Sequence, residues 1–377
     1  MSMLLSLLLL GPILFYAAYT CLMTWAYLRI PGAEIPLPSE IVFLSVIIPA
    51  RNEEEHLEKC IRSVCQQSLS PNQYEVLCLN DHSTDTTLQI LSGLTGEFPN
   101  LRVINMADYP GHSQKKQAIA LGVSLSKGDI IIQTDADCWV GREWLTSLLS
   151  YFTPRTGMVS GPVLLEEGRG MLSIFQTMEY MGLSVLGAGA IQLGFPTMCN
   201  GANLAYRKSA FLQVGGFQGV DHIASGDDEL LMQKINLQTD WDIAFARDRR
   251  AIVHTYALAS WKALKAQRLR WVSKARAYLD RRINVVQLIF LLAFISLPVL
   301  IWLSLYQREG WGILLGWFLL KSIPDLWILF TAAKFFHKLP LLKYFPLLQP
   351  VYIVYVIWVG IAGNRVNAYN WKGRKVS

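Results

Sequence analysis

Two aspartates, Asp135 and Asp137, stand one residue apart after the apolar segment 128–132. That segment is rich in β-branched residues, which predicts a strand buried on both faces. Ligands of α/β sheets bind beyond the carboxyl ends of the strands, where these carboxylates would lie. Mg²⁺ and Mn²⁺ favour oxygen ligands, and Mg²⁺ needs only one or two carboxylates when phosphates complete its shell. The pair therefore predicts a metal site, although Asp-x-Asp also occurs by chance in ordinary turns.

A second acidic pair, Asp227 and Asp228, lies between Gly226 and Glu229. A carboxylate that takes a proton from a reacting hydroxyl must lie within hydrogen-bond reach of it, so this pair is a candidate for the general base. The alternative interpretation is structural, because acidic residues are common in the first turn of a helix, where they interact favourably with the helix dipole.

The segment 267–271 is predicted to be helical, which places Gln267, Arg270 and Trp271 on one helix face. Arginine can bind a phosphate through two parallel hydrogen bonds, and the Trp ring offers a flat apolar surface to a sugar or an acceptor. We expect Arg268 to point elsewhere. The alternative is a basic helix on anionic lipid, which is compatible with a catalytic role.

Strand-like and helix-like segments alternate through the first part of the chain. Strands are predicted at residues 41–49, 74–79, 101–105 and 128–132, with helical patterns between them. This order indicates right-handed βαβ units and a largely parallel sheet, and therefore an α/β fold. It is a nucleotide-binding arrangement in outline, without a Gly-x-Gly-x-x-Gly or Walker loop.

The composition indicates a membrane component. Of the 377 residues, 52% are hydrophobic and 16% are charged, whereas about 25% of residues are charged in typical soluble domains. The net charge of +6 suits an anionic membrane surface or substrate, and the basic stripes of a nucleic-acid binder are missing. The six cysteines show no metal-ligand spacing, and we interpret them as reduced thiols of a cytosolic domain.

Four apolar runs are long enough to cross a bilayer. The first, residues 3–28, carries no charge, and we interpret residues 1–30 as a retained anchor because a signal peptide would begin with basic residues and end at a small-residue cleavage site. The C-terminal membrane region, residues 283–363, contains three further runs, the last of which is either a full crossing or a re-entrant segment. These runs are 283–306, 310–336 and 339–363.

Positive charges beside these runs predict their orientation. Arg29, Arg281 and Arg282 flank the runs, and the excess of positive charge on cytoplasmic loops places the intervening domain, residues 41–275, in the cytoplasm. We therefore expect an integral protein of the cell inner membrane. Residues 364–377 form a basic tail whose side of the membrane depends on whether the last run crosses fully.

Charged residues also occur inside apolar segments. Glu179 is the only charge between residues 171 and 200, and the segment 170–200 is either a buried helix with a Gly-rich loop or an interfacial helix that shapes an acceptor cleft. Lys321 and Asp325 have the spacing of partners on one helix face. Intramembrane charges suggest a functional site, but a structural ion pair or a helix broken at Pro324 are equal alternatives.

Six short motifs follow one another in an order that resembles the family 2 glycosyltransferases, which have the GT-A fold. The resemblance covers residues 44–275, and one departure is Asn80, where relatives often carry Asp, so that Asp81 is the safer nucleotide contact. The motifs occupy residues 45–53, 80–85, 135–137, 200–208, 226–229 and 267–271.

This resemblance implies transfer of a sugar from a nucleotide donor, with a UDP-sugar favoured, to an acceptor hydroxyl. Asp137, with Asp135 nearby, would hold Mg²⁺ or Mn²⁺ against the diphosphate, and Asp228 would be the base of an inverting displacement. Base and ribose would lie against residues at two strand ends, and one of two lysines would reach the phosphates or the base. These residues are Pro49, Ala50, Arg51, Glu53, Asp81, Lys115 and Lys116.

The chain length and layout resemble the ceramide-type and carotenoid-type glycosyltransferases, which implies a lipid acceptor. The same Gln-x-x-Arg-Trp motif also occurs in processive polysaccharide synthases, but three or four membrane runs are few for a translocation pore. A non-catalytic membrane scaffold or transporter is the remote alternative, because such a protein has no need of Asp135, Asp137, Asp228 and Arg270 together.

Overall fold

The computed structural model describes residues 3–32, 43–109, 114–166, 168, 170–221, 223, 225–306, 310–363, 369–371 and 374–376. Its strands are β1 Leu44–Ala50, β2 Tyr74–Asn80, β3 Leu101–Asn105, β4 Ile130–Gln133, β5 Trp139–Val140, β6 Thr156–Ser160, β7 Val163–Glu166, β8 Leu204–Arg207, β9 Asp242–Phe245, β10 Val253–Tyr256, β11 Tyr369–Trp371 and β12 Arg374–Val376. Its helices are α1 Met3–Leu28, α2 Leu57–Cys65, α3 Thr87–Leu94, α4 Lys115–Leu125, α5 Trp144–Leu149, α6 Met171–Gln192, α7 Lys208–Gln213, α8 Glu229–Gln238, α9 Trp261–Ser273, α10 Arg281–Tyr306, α11 Gly310–Phe335 and α12 Phe345–Gly363.

A seven-stranded sheet with the order β3-β2-β1-β4-β8-β6-β9 forms the centre of the molecule. Strands β3, β2, β1 and β4 are parallel, whereas β8 runs antiparallel to both β4 and β6. The four strands predicted from the sequence correspond to these four parallel strands, so the predicted α/β class with a largely parallel sheet is confirmed. A smaller sheet, β5-β10-β7, lies beside the central one.

The middle strands of the central sheet, such as β1, β2 and β4, are buried on both faces because most of their residues are apolar. Val46 and Ile48 pack into one cluster with residues of α2, α3 and α5, whereas the intervening Ile47 packs into a second cluster with residues of α4 and α8. This alternation follows from the two-residue period of a strand. The helices on both faces hold the strand ends in fixed positions, and the loops that follow those ends carry the candidate site.

Four helical segments are long and apolar enough to cross a membrane: Leu9–Leu28, Arg281–Leu305, Trp311–Phe335 and Leu339–Gly363. Their polar side chains, such as Thr24, Ser304 and Lys321, are buried, while Leu305 and Val354 are 69% and 68% exposed. Helices surrounded by lipid show this arrangement, with polar groups turned towards one another. Helix α11 continues through Pro324, so the alternative of a broken helix is wrong.

Helix α12 lies along α9 instead of standing apart from the α/β domain. Its first residue, Phe345, packs in a cluster with Leu264 of α9, and Tyr355 in its middle accepts a hydrogen bond from Arg268 at 2.8 Å. At its end, a methyl group on Gly363 would collide with Val272. Both ends of α12 therefore contact the same side of the molecule. Beyond α12, β11 and β12 pair antiparallel, and the rest of the predicted basic tail lies outside the described residues.

Candidate active site

The carboxyl ends of β1, β2 and β4 open into one cavity of about 650 Å³. It is lined by loops of the central sheet, by α6 and α9, and by the inner faces of the long apolar helices. All of the predicted site residues except Lys116 line this cavity. They are Pro49, Ala50, Arg51, Glu53, Asp81, Lys115, Asp135, Asp137, Asp227, Asp228, Gln267, Arg270 and Trp271.

At the β1 and β2 ends, Arg51 braces the loop that carries Asp81. Its guanidinium donates to the backbone carbonyls of Asp81 at 2.7 Å and His82 at 2.8 Å. The Asp81 carboxylate is almost fully buried and accepts a hydrogen bond from the backbone N–H of Gln114 at 3.3 Å. The two strand ends are thereby held together as one wall of the cavity.

The two lysines that the sequence could not separate point in different directions. Lys115 lies in the cavity, where its ammonium is 2.7 Å from Asp135 and 3.3 Å from Asp227. Burial lowers the pKa of Lys115, but the nearby carboxylates outweigh this effect and raise it, so the side chain stays charged. Lys116 instead donates to the backbone carbonyls of Val220 and Ile223. These contacts hold that loop, and of the two lysines only Lys115 lines the cavity.

The Asp228 carboxylate is fixed by two backbone donors. It accepts from the N–H of Glu229 at 2.8 Å and from that of Gly201 at 3.0 Å, and the ammonium of Lys274 lies 3.6 Å away. Burial raises the pKa of Asp228, but Lys274 and Lys115 outweigh it, and the pKa is below its ordinary value. Asp228 is therefore ionised, as a general base must be.

Three residues around the Asp228 carboxylate and its neighbours were not identified from the sequence. Lys274 also pairs with Glu229 at 3.2 Å, and Tyr278 donates to Glu229 at 2.5 Å. Burial raises the pKa of Glu229. Gln133 donates to Asp227 at 2.8 Å, which connects the end of β4 to the acidic pair. These partners are far apart in the sequence and belong to no motif, so no local signal indicates them.

On α9, Gln267, Arg270 and Trp271 line the cavity as predicted, but Arg268 does so too. The expectation that Arg268 points elsewhere is wrong, because its guanidinium has a buried partner at the cavity wall. It pairs with Glu179 of α6 at 2.5 Å. The same guanidinium donates to Gln267 and lies 4.1 Å from the centre of the Trp271 ring.

The carboxylates of Asp135 and Asp137 fit a divalent ion completed by phosphates. Both line the cavity, and oxygen donors are the ligands that Mg²⁺ and Mn²⁺ prefer. The ammonium of Lys115 lies 2.7 Å from Asp135, so this carboxylate already faces a positive charge. Among the described residues, no group of three or more His, Cys, Asp or Glu side chains could hold a metal alone, so the ion would need ligands from a substrate.

Comparison with known families agrees with this geometry. Residues 45–214 match the family described as "Glycosyl transferase family 2", and residues 130–363 match "Glycosyl transferase family group 2". The second match spans more than half of the chain. This chain belongs to the family 2 glycosyltransferases. The motif order in the sequence had predicted this family correctly.

Several curated relatives share part of this glycosyltransferase chain. Glycosyltransferase AglE of Haloferax volcanii is 31% identical over 29% of this chain and 35% of its own length. A beta-monoglucosyldiacylglycerol synthase of Nostoc sp. is 30% identical over 31% of this chain and 25% of its own length. A poly(ribitol-phosphate) beta-glucosyltransferase of Bacillus spizizenii is 30% identical over 27% of this chain and 16% of its own length. The matched region therefore spans only 16% to 35% of the length of these three relatives.

A solved structure has a similar fold over nearly the whole chain. It is a mannosyltransferase from Pyrobaculum calidifontis in complex with GDP-Man and Mn²⁺, and it superimposes with a TM-score of 0.59 over 96% of this chain and 95% of that chain, at 18% identity. This likeness supports the predicted GT-A fold, and this chain's own structure has long apolar helices near its N-terminus and in its C-terminal part.

Proposed function

We propose that this glycosyltransferase moves one sugar from a nucleotide donor, a UDP-sugar, to a hydroxyl of a lipid acceptor with inversion at the anomeric carbon. The observation that carries the proposal is the continuity of the cavity. It runs from the carboxylates at the strand ends, past Asp228, to side chains of the apolar helices such as Phe290 and Tyr352. A donor at the strand ends and a lipid between the helices would meet at Asp228.

On the donor side, the walls at the ends of β1 and β2 would hold the nucleotide, with Asp81 as a hydrogen-bond acceptor for base or ribose. Lys115 would move its ammonium from the carboxylates to the diphosphate, whose charge it complements. Asp137 and Asp135 would hold Mg²⁺ or Mn²⁺. Such an ion supplies Lewis-acid stabilisation of the charge that develops on the leaving diphosphate.

On the acceptor side, Asp228 would take the proton of the attacking hydroxyl. Its lowered pKa keeps it ionised but also makes it a weak base, so the proton would transfer late, when the bond from oxygen to the anomeric carbon is largely formed. This timing suits a transition state with oxocarbenium character. Gln267 and Trp271 would orient the sugar or the acceptor, and Arg270 would bind a phosphate.

The contacts of the long helices support a membrane arrangement. We propose that α1, α10 and α11 cross the cell inner membrane and that the catalytic domain, residues 41–275, lies in the cytoplasm. Because both ends of α12 contact α9 or its neighbours, α12 would lie at the membrane surface or re-enter from the same side. The anchor would be residues 1–30, the C-terminal membrane region 283–363, and the tail 364–377 would return to the cytoplasm.

The proposal is tested with full-length protein in lipid vesicles, by product analysis with a panel of UDP-sugars and extracted lipids in Mn²⁺ or Mg²⁺. We expect one glycolipid with a single added sugar. Asp228→Asn should lower kcat by about 10²–10⁴-fold with little change in thermal unfolding, whereas the exposed control Asp242→Asn should leave kcat unchanged. A ladder or polymer would support a processive synthase, and unchanged transfer by Asp228→Asn would refute its role as the base.

A further inference from the structure

A buried polar cluster joins three of the long apolar helices beside the cavity. On α11, Lys321 and Asp325 form the predicted ion pair at 2.7 Å. The hydroxyl of Tyr16 on α1 donates to the other oxygen of Asp325 at 2.6 Å, and Lys321 also donates to the amide oxygen of Gln349 on α12. The sequence left open whether Lys321 and Asp325 form a functional site or a structural ion pair, and these contacts show that the two side chains are paired.

Gln349 has one hydrogen-bonding group that this cluster does not use. An ammonium can only donate, so its contact fixes the amide oxygen of Gln349 towards Lys321 and leaves the NH₂ group on the other side. Gln349 is only 5% exposed and lines the cavity, and the hydrogen bond of its side chain within the described residues is the one that its oxygen accepts from Lys321. A donor at the wall of a cavity can hydrogen-bond to a ligand there that carries an accepting oxygen.

The cavity reaches this donor. Tyr16, Asp325 and Gln349 line it together with the apolar side chains of Phe294 and Val356. Gln349 lies six residues before Tyr355 on α12, or about 9 Å along the helix axis. Tyr355 contacts Arg268 beside the catalytic part of α9. A ligand that extends from the reaction site between the helices would therefore pass Gln349 a short distance below its reacting end.

The charges in the part of the cavity lined by Asp325 and Gln349 indicate an uncharged ligand. The Asp325 carboxylate lines the cavity and is paired with Lys321, which is fully buried and does not line the cavity. Because Lys321 pairs with Asp325, this ion pair offers no net positive charge to bind a phosphate at this depth, whereas the amide NH₂ of Gln349 would donate to a carbonyl or hydroxyl oxygen. A polyprenyl phosphate offers a phosphate head followed by hydrocarbon alone, which fits neither group.

We propose that Gln349 selects the acceptor as a neutral lipid with a free hydroxyl and a hydrogen-bond-accepting oxygen below it. Diacylglycerol and ceramide share this chemistry, through an ester carbonyl in one and an amide carbonyl or second hydroxyl in the other. The inference rests on the proposed function, because it assigns the acceptor of the same site. Gln349 is thus a specificity-determining residue for the reaction.

The experiment measures binding independently of transfer. Full-length protein in phosphatidylcholine vesicles is photolabelled with three diazirine lipids: a diacylglycerol, a ceramide and a polyprenyl phosphate. Gln349→Met removes the amide, and Gln349→Glu keeps an oxygen for Lys321 while removing the NH₂ donor. Val354→Ala, at a lipid-facing position of the same helix, is the matched control. Thermal unfolding of each variant shows that it is folded.

We expect the diacylglycerol or the ceramide to label peptides of α1, α11 or α12, with competition by the unlabelled lipid. Both Gln349 variants should weaken this competition at least about fivefold, which corresponds to about 1 kcal/mol, while Val354→Ala leaves it unchanged. Stronger labelling by the polyprenyl phosphate, or equal competition in wild type and Gln349→Glu, would overturn the proposal.

The two proposals fail in distinguishable ways. If Gln349→Glu labels as well as wild type while Asp228→Asn abolishes transfer, the acceptor assignment is wrong and the transferase activity stands. If the labelling depends on Gln349 but Asp228→Asn transfers sugar normally, the neutral-lipid site stands and the proposed catalytic role is wrong.

Discussion

The buried ion pair between Arg268 of α9 and Glu179 of α6 gives the sharpest test of the reasoning, because it joins these two helices. The two side chains are 4% and 6% exposed and lie 2.5 Å apart. Glu179→Gln leaves the guanidinium in a buried site without its counter-charge, which costs about 3–5 kcal/mol in the free energy of unfolding. Arg268→Met should cost a similar amount, since it leaves the carboxylate unpaired.

The double variant Arg268→Met/Glu179→Leu separates a charge effect from simple loss of packing. It removes both charges together and leaves the hydroxyl of Tyr355, which donates to Glu179 at 2.5 Å, without its partner. We expect it to lose only about 1–3 kcal/mol, less than the sum of the single variants. The coupling energy from the cycle should therefore be at least about 3 kcal/mol.

Denaturant titrations of the protein in detergent, followed by Trp fluorescence, measure these free energies. The matched control is the exposed pair of Arg155 and Asp242, whose side chains are 76% and 56% exposed, and Asp242→Asn should cost no more than about 1 kcal/mol. If Glu179→Gln cost as little as Asp242→Asn, the argument from burial would be refuted. The acceptor KM should also rise in Arg268→Met, because the guanidinium contacts Gln267 and Trp271.

Three further outcomes are expected. EDTA should abolish transfer, Mn²⁺ or Mg²⁺ should restore it, and Asp137→Asn should raise the metal concentration needed; full activity in EDTA would contradict the proposed site. Because the pKa of Asp228 is lowered, kcat/KM should fall with decreasing pH only below the ordinary carboxyl pKa of about 3.9. Lys274→Met should shift this acid limb of kcat/KM to higher pH, and an unmoved limb would exclude Lys274 as the cause of the lowered pKa. Gly189→Val should lower the free energy of unfolding by about 1–3 kcal/mol, measured by denaturant titration, because a side chain there collides with Met23, and by more than the control Gly182→Val.

The parts of the fold that the sequence predicts are those with a local signal. The apolar β-branched segments before Asp81 and Asp135 predicted β2 and β4, and the parallel order of βαβ units brought their ends together. The pairing of Lys321 with Asp325 also has a local signal, because residues four apart lie one turn from each other on the same face of a helix.

The contacts that the sequence does not predict join residues far apart in the chain. Arg268 meets a partner 89 positions away on α6, and neither residue carries a signal for the other. The choice between Lys115 and Lys116 also depends on tertiary structure, because adjacent helical residues point in different directions. Only the position of the loop that contains Val220 shows which lysine turns away from the cavity.

The bridge from Lys115 to Asp135 and Asp227 has a consequence for the order in which substrates bind. Without a donor, the ammonium of Lys115 pairs with Asp135, an acid of the proposed metal site, and with Asp227, an acid beside the proposed base Asp228. A diphosphate competes for this ammonium, and its binding frees Asp227 next to the place where the acceptor hydroxyl must arrive. Steady-state kinetics should therefore be ordered, with the donor first and the acceptor second.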